Sequence, residues 1–393
     1  MNKGKTVFAQ LMDFAPYFQF QQAVERYHGN RWVQNFSCWN QWLALALAQL
    51  TGRRSLRDIE ASLAAQKRKL YHMGFSCPVK RNTLANANKK RNWRIYRDFA
   101  CALIDIARPL YAGDSLGLDL DKTVYALDST TIDLCLGLFR WATFRKTKAA
   151  IKIHTLMEIH SSLPVWVSVT TGDTHDVHAL DDIWIEPGSF LLIDRAYLDF
   201  RRLYELHQRA IFFIIRAKKN LSFKRLYSRT HDVGPNVKGD QTGLLTGYYS
   251  QSKYPQQLRR ISYRDPETGD RLIFLTNNTL LPAQTIADLY KHRWKIELFF
   301  KWIKQHLRIR SFYGTSDNAV LTQIWSAIAT YVLVAIANKR LNSKLSLYIL
   351  LQVLSLSLFE KVPLFQLLTN HDYILPSDDN PNQLSLLEIS LGQ

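Results

Sequence analysis

Four polar residues late in the chain, Tyr290, Arg293, Glu297 and Lys304, follow the spacing Tyr-x2-Arg-x3-Glu-x6-Lys. On a single α-helix, which turns about 100° per residue, the last three lie about 300°, 340° and 320° from Tyr290, so all four share a stripe about 60° wide. A carboxylate flanked by a phenol, a guanidinium and an ammonium can bind a metal ion together with the phosphates beside it. The alternative is a solvated helix face with intrahelical ion pairs.

Two further carboxylates each end an apolar run, Asp128 in VYALDST and Asp194 in FLLIDRAY. Such runs are typical of strands, and the second is typical of a strand buried on both faces. The two side chains can be adjacent only if the first and fourth predicted strands are neighbours, which is the ribonuclease H topology. Mg²⁺ prefers oxygen ligands, and a pair of such ions about 3.5–4 Å apart can activate a nucleophile and stabilise the leaving oxygen of a phosphodiester. Three carboxylates from separate elements are sufficient for such a site, and Asp128, Asp194 and Glu297 are the candidates.

The composition indicates a soluble protein with a polyanionic partner. The 393 residues include 51 Lys and Arg against 33 Asp and Glu, a net charge of +18. Nucleic acid is the first expectation because this charge accompanies a carboxylate site. The four cysteines show no Cys-x-x-Cys pair, which favours a reducing, cytoplasmic location over a disulfide framework. The N-terminus does not resemble a signal peptide, and the apolar stretch Ala319 to Ala337 is interrupted by polar residues, which favours a buried helix over a membrane span.

Residues 1–112 are predicted to be a helical DNA-binding domain. Ser55 with Asp58 three residues later is typical of a helix start, and the helix is expected to run to about Lys69. A turn through Gly74 and Pro78 leads into a basic segment, so the pattern suggests a helix-turn-helix. A basic surface helix without sequence recognition is the alternative. The predicted DNA-contacting cations are Lys80, Arg81, Lys89, Lys90, Arg91 and Arg94, with Asn82, Asn86 and Asn88 as candidates to contact base edges.

Residues 120–340 are predicted to form a mixed α/β catalytic domain. Apolar and polar residues alternate in Ile151–Ile159 and again in 165–169, which with Thr123–Leu127 predicts three antiparallel strands. Two buried strands separated by helices follow, and residues 217–280 are expected to be a β-rich insertion. Residues 341–393 are predicted to be a helical C-terminal region with a polar tail.

At these residues the chain resembles the DDE transposases of bacterial insertion sequences, in the branch marked by the Tyr-Arg-Glu-Lys signature (insertion-sequence family four). The segments ALDSTTIDL, AAIKIHTLMEI, TTGDTHD, LLIDRAY and FYGTSDNAVLTQIW carry the resemblance together with the signature. It implies a ribonuclease H-like core with a β insertion, Mg²⁺ dependence with Mn²⁺ as a substitute, and cut-and-paste movement of an element through its terminal inverted repeats. It further implies that Asp128, Asp194 and Glu297 are the catalytic, metal-binding triad and that Tyr290, Arg293 and Lys304 hold phosphates. A homodimer is expected to act on the end and target DNA.

Some members of this branch use a tryptophan in the β insertion to hold a flipped base while a DNA hairpin forms. No tryptophan lies between Trp184 and Trp294 in this chain. A tyrosine could stack on the base instead, since any aromatic ring can serve. The candidates are Tyr248, Tyr249, Tyr254 and Tyr263.

Several polar residues have simpler explanations or stay undecided. Asp133 has the opposite strand parity to Asp128 and is expected at the surface. Asp173, His175 and Asp176 fit a turn before a helix, although the resemblance allows them a supporting role, and parity does not decide whether Lys152 and His154 face the site. Two other functions also fit the chain. One is a ribonuclease H-like nuclease without strand transfer, and the other is a DNA-binding protein that has lost catalysis.

Overall fold

The computed structural model describes residues 4–369 except 115–116, 118–119, 121, 146–147, 218–220, 230–233 and 307–311. The helices are α1 (Val7–Met12), α2 (Tyr17–Arg26), α3 (Cys38–Leu50), α4 (Leu56–Ala65), α5 (Arg81–Lys90), α6 (Arg94–Tyr111), α7 (Ala179–Asp182), α8 (Phe200–Gln208), α9 (Tyr248–Lys253), α10 (Ala283–Lys291), α11 (Trp294–His306), α12 (Asp317–Arg340), α13 (Leu347–Ser357) and α14 (Leu364–Thr369). The strands are β1 (Val124–Leu134), β2 (Thr143–Arg145), β3 (Lys148–Glu158), β4 (Leu163–Thr171), β5 (Phe190–Ile193), β6 (Phe212–Arg216), β7 (Phe223–Arg229), β8 (Val237–Leu245), β9 (Leu258–Arg264) and β10 (Arg271–Thr276).

The described strands join in one mixed sheet with the order β2-β3-β1-β5-β6-β10-β9-β8-β7, and β4 pairs with β3. Strands β1, β3 and β4 are antiparallel neighbours, as the alternation predicts. Strand β5 lies parallel to β1 on one side and to β6 on the other. Three antiparallel strands followed by two parallel ones is the ribonuclease H-like order, so the predicted fold class is confirmed.

The β-rich segment extends this sheet through β10, which pairs antiparallel with β6. A buried ion pair fixes its strands. Arg259 on β9 donates from Nε and Nη2 to the two carboxylate oxygens of Asp240 on β8, and the two side chains are only 1% and 3% exposed. The third guanidinium nitrogen of Arg259, Nη1, donates to the carbonyl of Leu281, just before α10. The pair therefore ties the segment to the start of the helix that leads to the signature.

Helix α12 lies at the centre of the helical part of the molecule. By length and composition it could cross a membrane, but 94% of its most apolar window is buried inside the protein. It packs against α3, α5 and α6 from the N-terminal region and α13 from the C-terminal region. The hydroxyl of Tyr111 on α6 donates to the carbonyl of Ala335, and Tyr331 packs edge-on against Trp302 of α11 at 4.6 Å between ring centroids. The apolar stretch is therefore a core helix, as predicted.

The two ends of the described chain also meet. The backbone N–H groups of Val7 and Phe8 donate to the carbonyls of Glu360 and Leu358. The side chain of Gln10 bonds the backbone on both sides of Pro363. The first helices therefore share one core with the last ones.

The N-terminal helices follow the prediction in part. Ser55 caps α4 as expected, because its side chain accepts from the backbone N–H of Asp58. The helix ends at Ala65 rather than near Lys69, and short 3-10 turns follow. The connection to α5 spans residues 66–80, which is longer than the three or four residues of a compact helix-turn-helix.

Candidate active site

Asp128 and Asp194 lie side by side where the parallel pairing of two central strands ends. Strands β1 and β5 are parallel, and their last paired residues are Leu127 and Ile193. Asp194 directly follows β5, whereas β1 continues past Asp128 to Leu134 instead of ending there. Both aspartates are the next residue after the last paired one, so both carboxylates leave the sheet on the same face. Helix α11 packs against β1. The adjacency that the sequence requires of the two aspartates is therefore present.

Arg293 connects Asp128 to Glu297. One guanidinium nitrogen lies 3.1 Å from Oδ2 of Asp128, and the other lies 2.5 Å from Oε1 of Glu297. The three side chains are 16%, 21% and 32% exposed in the order Arg293, Asp128 and Glu297. The two carboxylates draw the guanidinium of Arg293 inward, a position that the helical stripe alone does not predict. The contact also orients Glu297 toward Asp128.

The surroundings of Asp128 favour its neutral, protonated form. Burial raises the pKa of Asp128 from 3.8 to about 6, against the lowering effect of the Ser129 backbone N–H and of Arg293. The charges of Glu297 and Asp194 raise the same pKa further. Burial lowers the pKa of Arg293, but Tyr290, Glu297 and Asp128 together raise it above its usual value. The negative charges of Glu297 and Asp194 that disfavour the charged form of Asp128 also attract a cation.

The donor set fits a hard divalent cation. Among the described residues, no three His, Cys, Asp or Glu side chains are arranged to hold one metal ion as they stand. The guanidinium of Arg293 instead supplies the positive charge between Asp128 and Glu297. Carboxylate oxygens are the ligands that Mg²⁺ prefers. Asp128, Asp194 and Glu297 are therefore the residues that could hold such an ion.

The four signature residues do not share one continuous helix. Tyr290 belongs to α10, Arg293 lies in the link after it, and Glu297 and Lys304 belong to α11. The backbone N–H groups of residues 292, 293, 295 and 296 each donate to the carbonyl three residues earlier, so the chain tightens to 3-10 geometry there. The stripe calculated for 100° per residue is thus interrupted between Tyr290 and Glu297.

Tyr290 and Lys304 differ in their access to a phosphate. Tyr290 is 9% exposed and packs on Phe274 of β10 at 4.7 Å between ring centroids, and burial raises its pKa to about 12. Its ring supports Arg293, whose guanidinium carbon lies 5.6 Å from the ring centroid. Lys304 is half-buried, two turns beyond Glu297 on α11.

A polar network lies behind Asp128, on the opposite face of β1. Ser129 donates to Oδ1 of Asp176 at 2.7 Å, and Nζ of Lys152 lies 3.2 Å from the same oxygen. His154 is 2% exposed, and its ring bonds Thr170. The structure thus resolves the parity question left open for Lys152 and His154, which face this network. Asp176 supports the strand that carries Asp128. The only sequence signal for this role was the TTGDTHD segment.

Asp133 and two apolar residues of α11 are exposed at the surface. Asp133 is exposed, as its parity predicts. Trp294 and Leu298 are 56% and 47% exposed on α11, one residue or one turn from the signature residues. Sequence reasoning did not assign these two a role, because an apolar residue in a helix is more often buried.

The predicted DNA-contacting cations divide into exposed and internal groups. Lys89 and Lys90 are exposed at the end of α5, and Arg94 is exposed with its guanidinium 4.7 Å from the Trp93 ring centroid. Lys80 is exposed and lies 3.4 Å from Glu60.

Arg81 and Arg91 are more enclosed. The backbone N–H of Arg81 donates to Glu60, and its guanidinium bonds the neighbouring Asn82. Arg91 bonds the side chain of Gln41 and the carbonyl of Phe36. The prediction that Asn88 contacts bases is wrong, because this side chain is 1% exposed and bonds Gln41.

Two of the four tyrosines predicted as candidates to stack on a base are exposed enough to do so. Tyr254 and Tyr263 are 0% and 1% exposed, which excludes both from stacking on a base. Tyr248 and Tyr249 are 84% and 75% exposed at the start of α9, and their rings lie 5.3 Å apart.

Comparison with known families gives two matches. The model of the transposase DDE domain matches residues 119–333, and a domain of unknown function matches residues 3–76. In a structural comparison, the piggyBac transposase synaptic complex with hairpin DNA has a TM-score of 0.42 and 11% sequence identity, covering 96% of this chain and 87% of that one.

Individual relatives carry transposase names. A Sinorhizobium fredii protein named as a transposase is 37% identical over 220 residues, which are 55% of this chain and 61% of that protein. A Geobacillus stearothermophilus protein named as the transposase for insertion sequence element IS5377 is 32% identical over 218 residues, 55% of this chain and 57% of that protein. This chain thus covers less than two thirds of either relative.

The transposase DDE-domain match covers more than half of the chain and includes Asp128, Asp194 and Glu297. The chain therefore belongs to the transposase DDE-domain family.

Proposed function

We propose that this chain is the transposase of a bacterial insertion sequence, in the branch with the Tyr-Arg-Glu-Lys signature. It binds the terminal inverted repeats of its element, cleaves DNA strands there and transfers them to a target. The observation that carries the proposal is the pair of neighbouring carboxylates, Asp128 within β1 and Asp194 just after the parallel strand β5, with Arg293 linking Asp128 to Glu297. The family match and the net charge of +18 support the same function.

Asp128, Asp194 and Glu297 would hold Mg²⁺, or Mn²⁺ in its place. Such an ion, when bound, supplies Lewis-acid activation of the attacking oxygen and stabilisation of the leaving one. Asp128 must be deprotonated for this role, and Ser129 and Arg293 favour its charged form. Arg293 and Lys304 would bind phosphates of the cleaved end and hold the scissile bond in position, while the buried ring of Tyr290 would keep Arg293 in place.

The remaining DNA contacts follow from the basic surface. Residues 1–112 would recognise the inverted repeat, chiefly through the exposed cations at the end of α5 and the start of α6. Residues 120–340 would be the catalytic domain, with 217–280 as its insertion and 341–393 as the C-terminal region. A homodimer would assemble on the two ends, in the cytoplasm and at the nucleoid.

The test uses the full-length protein and duplex DNA carrying the ends of the element. Asp128→Ala, Asp194→Ala and Glu297→Ala should each abolish strand cleavage in Mg²⁺ while leaving DNA affinity largely intact, because most affinity comes from cationic contacts to phosphates. Asp133→Ala is the matched control, since it removes an exposed carboxylate from the same strand. Near-normal cleavage by any one of the three variants would remove that residue from the site.

The two alternative functions give different products in the same assay. A nuclease would cleave the ends without producing joined strands, whereas a binding protein without catalysis would retain the DNA and leave it intact. Transposition requires joined products that depend on the divalent ion and on all three carboxylates.

A further inference from the structure

We infer that Arg293 occupies the cation position of the metal-free site, and that metal binding releases its guanidinium for a DNA phosphate. This inference rests on the proposed function, since it takes Asp128 and Glu297 as metal ligands. It gives Arg293 a role in metal binding in addition to its predicted role at the phosphate.

The geometry places Arg293 in competition with a metal ion. Its two terminal nitrogens bond different carboxylates, Asp128 on β1 and Glu297 on α11, so one guanidinium spans the two elements that would have to share an ion. Each of these contacts uses a carboxylate oxygen that would otherwise be a metal ligand. Arg293 and an ion coordinated by those oxygens therefore exclude one another.

The guanidinium is incompletely bonded in this position. Nε of Arg293 is buried and has no hydrogen-bond partner among the described residues. A buried donor without an acceptor is unfavourable, because it has lost its bond to water. A phosphate offers several oxygens to the same planar group and can accept two parallel bonds from it. Displacement by a metal ion would thus leave Arg293 with a better-matched partner once DNA is present.

The fold limits where the released side chain can go. Arg293 lies in the short link between α10 and α11, and its guanidinium sits beside the Tyr290 ring. Tyr290 is fixed against the sheet by Phe274. The freed guanidinium therefore stays next to the metal, where a phosphate bound to that metal would lie. Metal binding would therefore favour phosphate binding, because it frees Arg293 for the phosphate.

The experiment measures Mn²⁺ binding to the full-length protein without DNA, by the electron paramagnetic resonance signal of free Mn²⁺. Arg293→Ala should lower the Mn²⁺ dissociation constant by about tenfold, a size typical of coupling between two ligands of one site. Arg293→Lys keeps the charge but cannot span both carboxylates, so its affinity should fall between those of the wild-type protein and Arg293→Ala. Circular dichroism checks that each variant is folded.

Matched controls separate competition from the loss of one positive charge. Lys301→Ala removes an exposed cation one turn beyond Glu297 on α11, and should leave the dissociation constant within about twofold, because exposed charges are screened. Unchanged or weaker Mn²⁺ binding in Arg293→Ala would overturn the inference. An effect of Lys301→Ala as large as that of Arg293→Ala would also overturn it.

The carboxylate variants distinguish this failure from failure of the proposed function. If Asp128→Ala and Glu297→Ala abolish Mn²⁺ binding while Arg293→Ala does not strengthen it, the metal site stands and the competition is refuted. If Mn²⁺ binds equally well without the carboxylates, the metal site itself is refuted, and the inference is refuted with it.

Discussion

Replacing Asp128 by asparagine should make the protein more stable at neutral pH than at acidic pH, relative to the wild type. Burial raises the pKa of this carboxyl from 3.8 to about 6. The folded protein therefore holds the proton more tightly than the unfolded chain does. Below about pH 4 both states are protonated and the shift has no effect on the pH dependence. As the pH rises from about 4 to about 6 the unfolded chain releases the proton first, so wild-type stability falls.

The size of this effect follows from the shift. About two pKa units correspond to roughly 3 kcal/mol, at about 1.36 kcal/mol per unit. The side chain is 21% exposed, so solvent screening removes only part of this value. The amide that replaces the carboxyl in Asp128→Asn has no charge to bury, and the variant therefore lacks this pH dependence. The stability difference between variant and wild type should grow by about 2–3 kcal/mol between about pH 4 and pH 7.5.

The assay is urea unfolding at both pH values, followed by circular dichroism in the presence of a chelator. Comparing the two pH values cancels any constant effect of the substitution, such as the altered contact with Arg293. Asp133→Asn serves as the control on the same strand. A stability difference that stays constant or shrinks as the pH rises would refute the argument, and would mean that the contact with Arg293 outweighs the burial of Asp128.

Three other outcomes are expected. Charge reversal of Lys89 and Lys90 in the full-length protein should weaken DNA binding and reduce the slope of log affinity against log salt by roughly 0.9 for each lost phosphate contact; an unchanged slope would place the contacts elsewhere. Trp302→Ala should destabilise the protein by about 3 kcal/mol or more in thermal unfolding, because the ring is 8% exposed and packs on α12. Asp240→Ala should cost about 3–5 kcal/mol, since it leaves Arg259 buried without its partner, and a change below about 1 kcal/mol in urea unfolding would show that water compensates.

The pairing of Asp128 with Asp194 could be predicted from the sequence, because it depends on local patterns. The apolar runs before Asp128 and Asp194 predict both strands, and the parallel pairing of those strands brings the side chains together, although β1 continues beyond Asp128 to Leu134. The helix break at residues 292–293 could not be predicted from the sequence. Apolar spacing continues through it, and only the backbone hydrogen bonds show the tighter turn. The ribonuclease H-like order followed from requiring the two aspartates to meet.

The N-terminal cations were harder to predict, since distant residues decide their orientation. Gln41, about fifty positions earlier, bonds both Asn88 and Arg91. Asn318 at the start of α12 donates to the carbonyls of the same two residues at 2.8 and 2.6 Å. A local pattern of basic and amide residues does not show that a helix more than two hundred positions away encloses part of the segment.

The central place of α12 has a consequence for how the protein is made. Helices α3, α5 and α6 are complete when the ribosome has reached residue 111, but the helix that covers their apolar faces ends at Arg340. At a synthesis rate of about 5–20 residues per second, on the order of ten to fifty seconds pass between completion of α6 and completion of α12. During that interval their apolar surface is exposed to chaperones and to other nascent chains. In a chain terminated before α12, this apolar surface would stay exposed. Premature stop codons should therefore yield aggregated or degraded fragments rather than a folded DNA-binding domain.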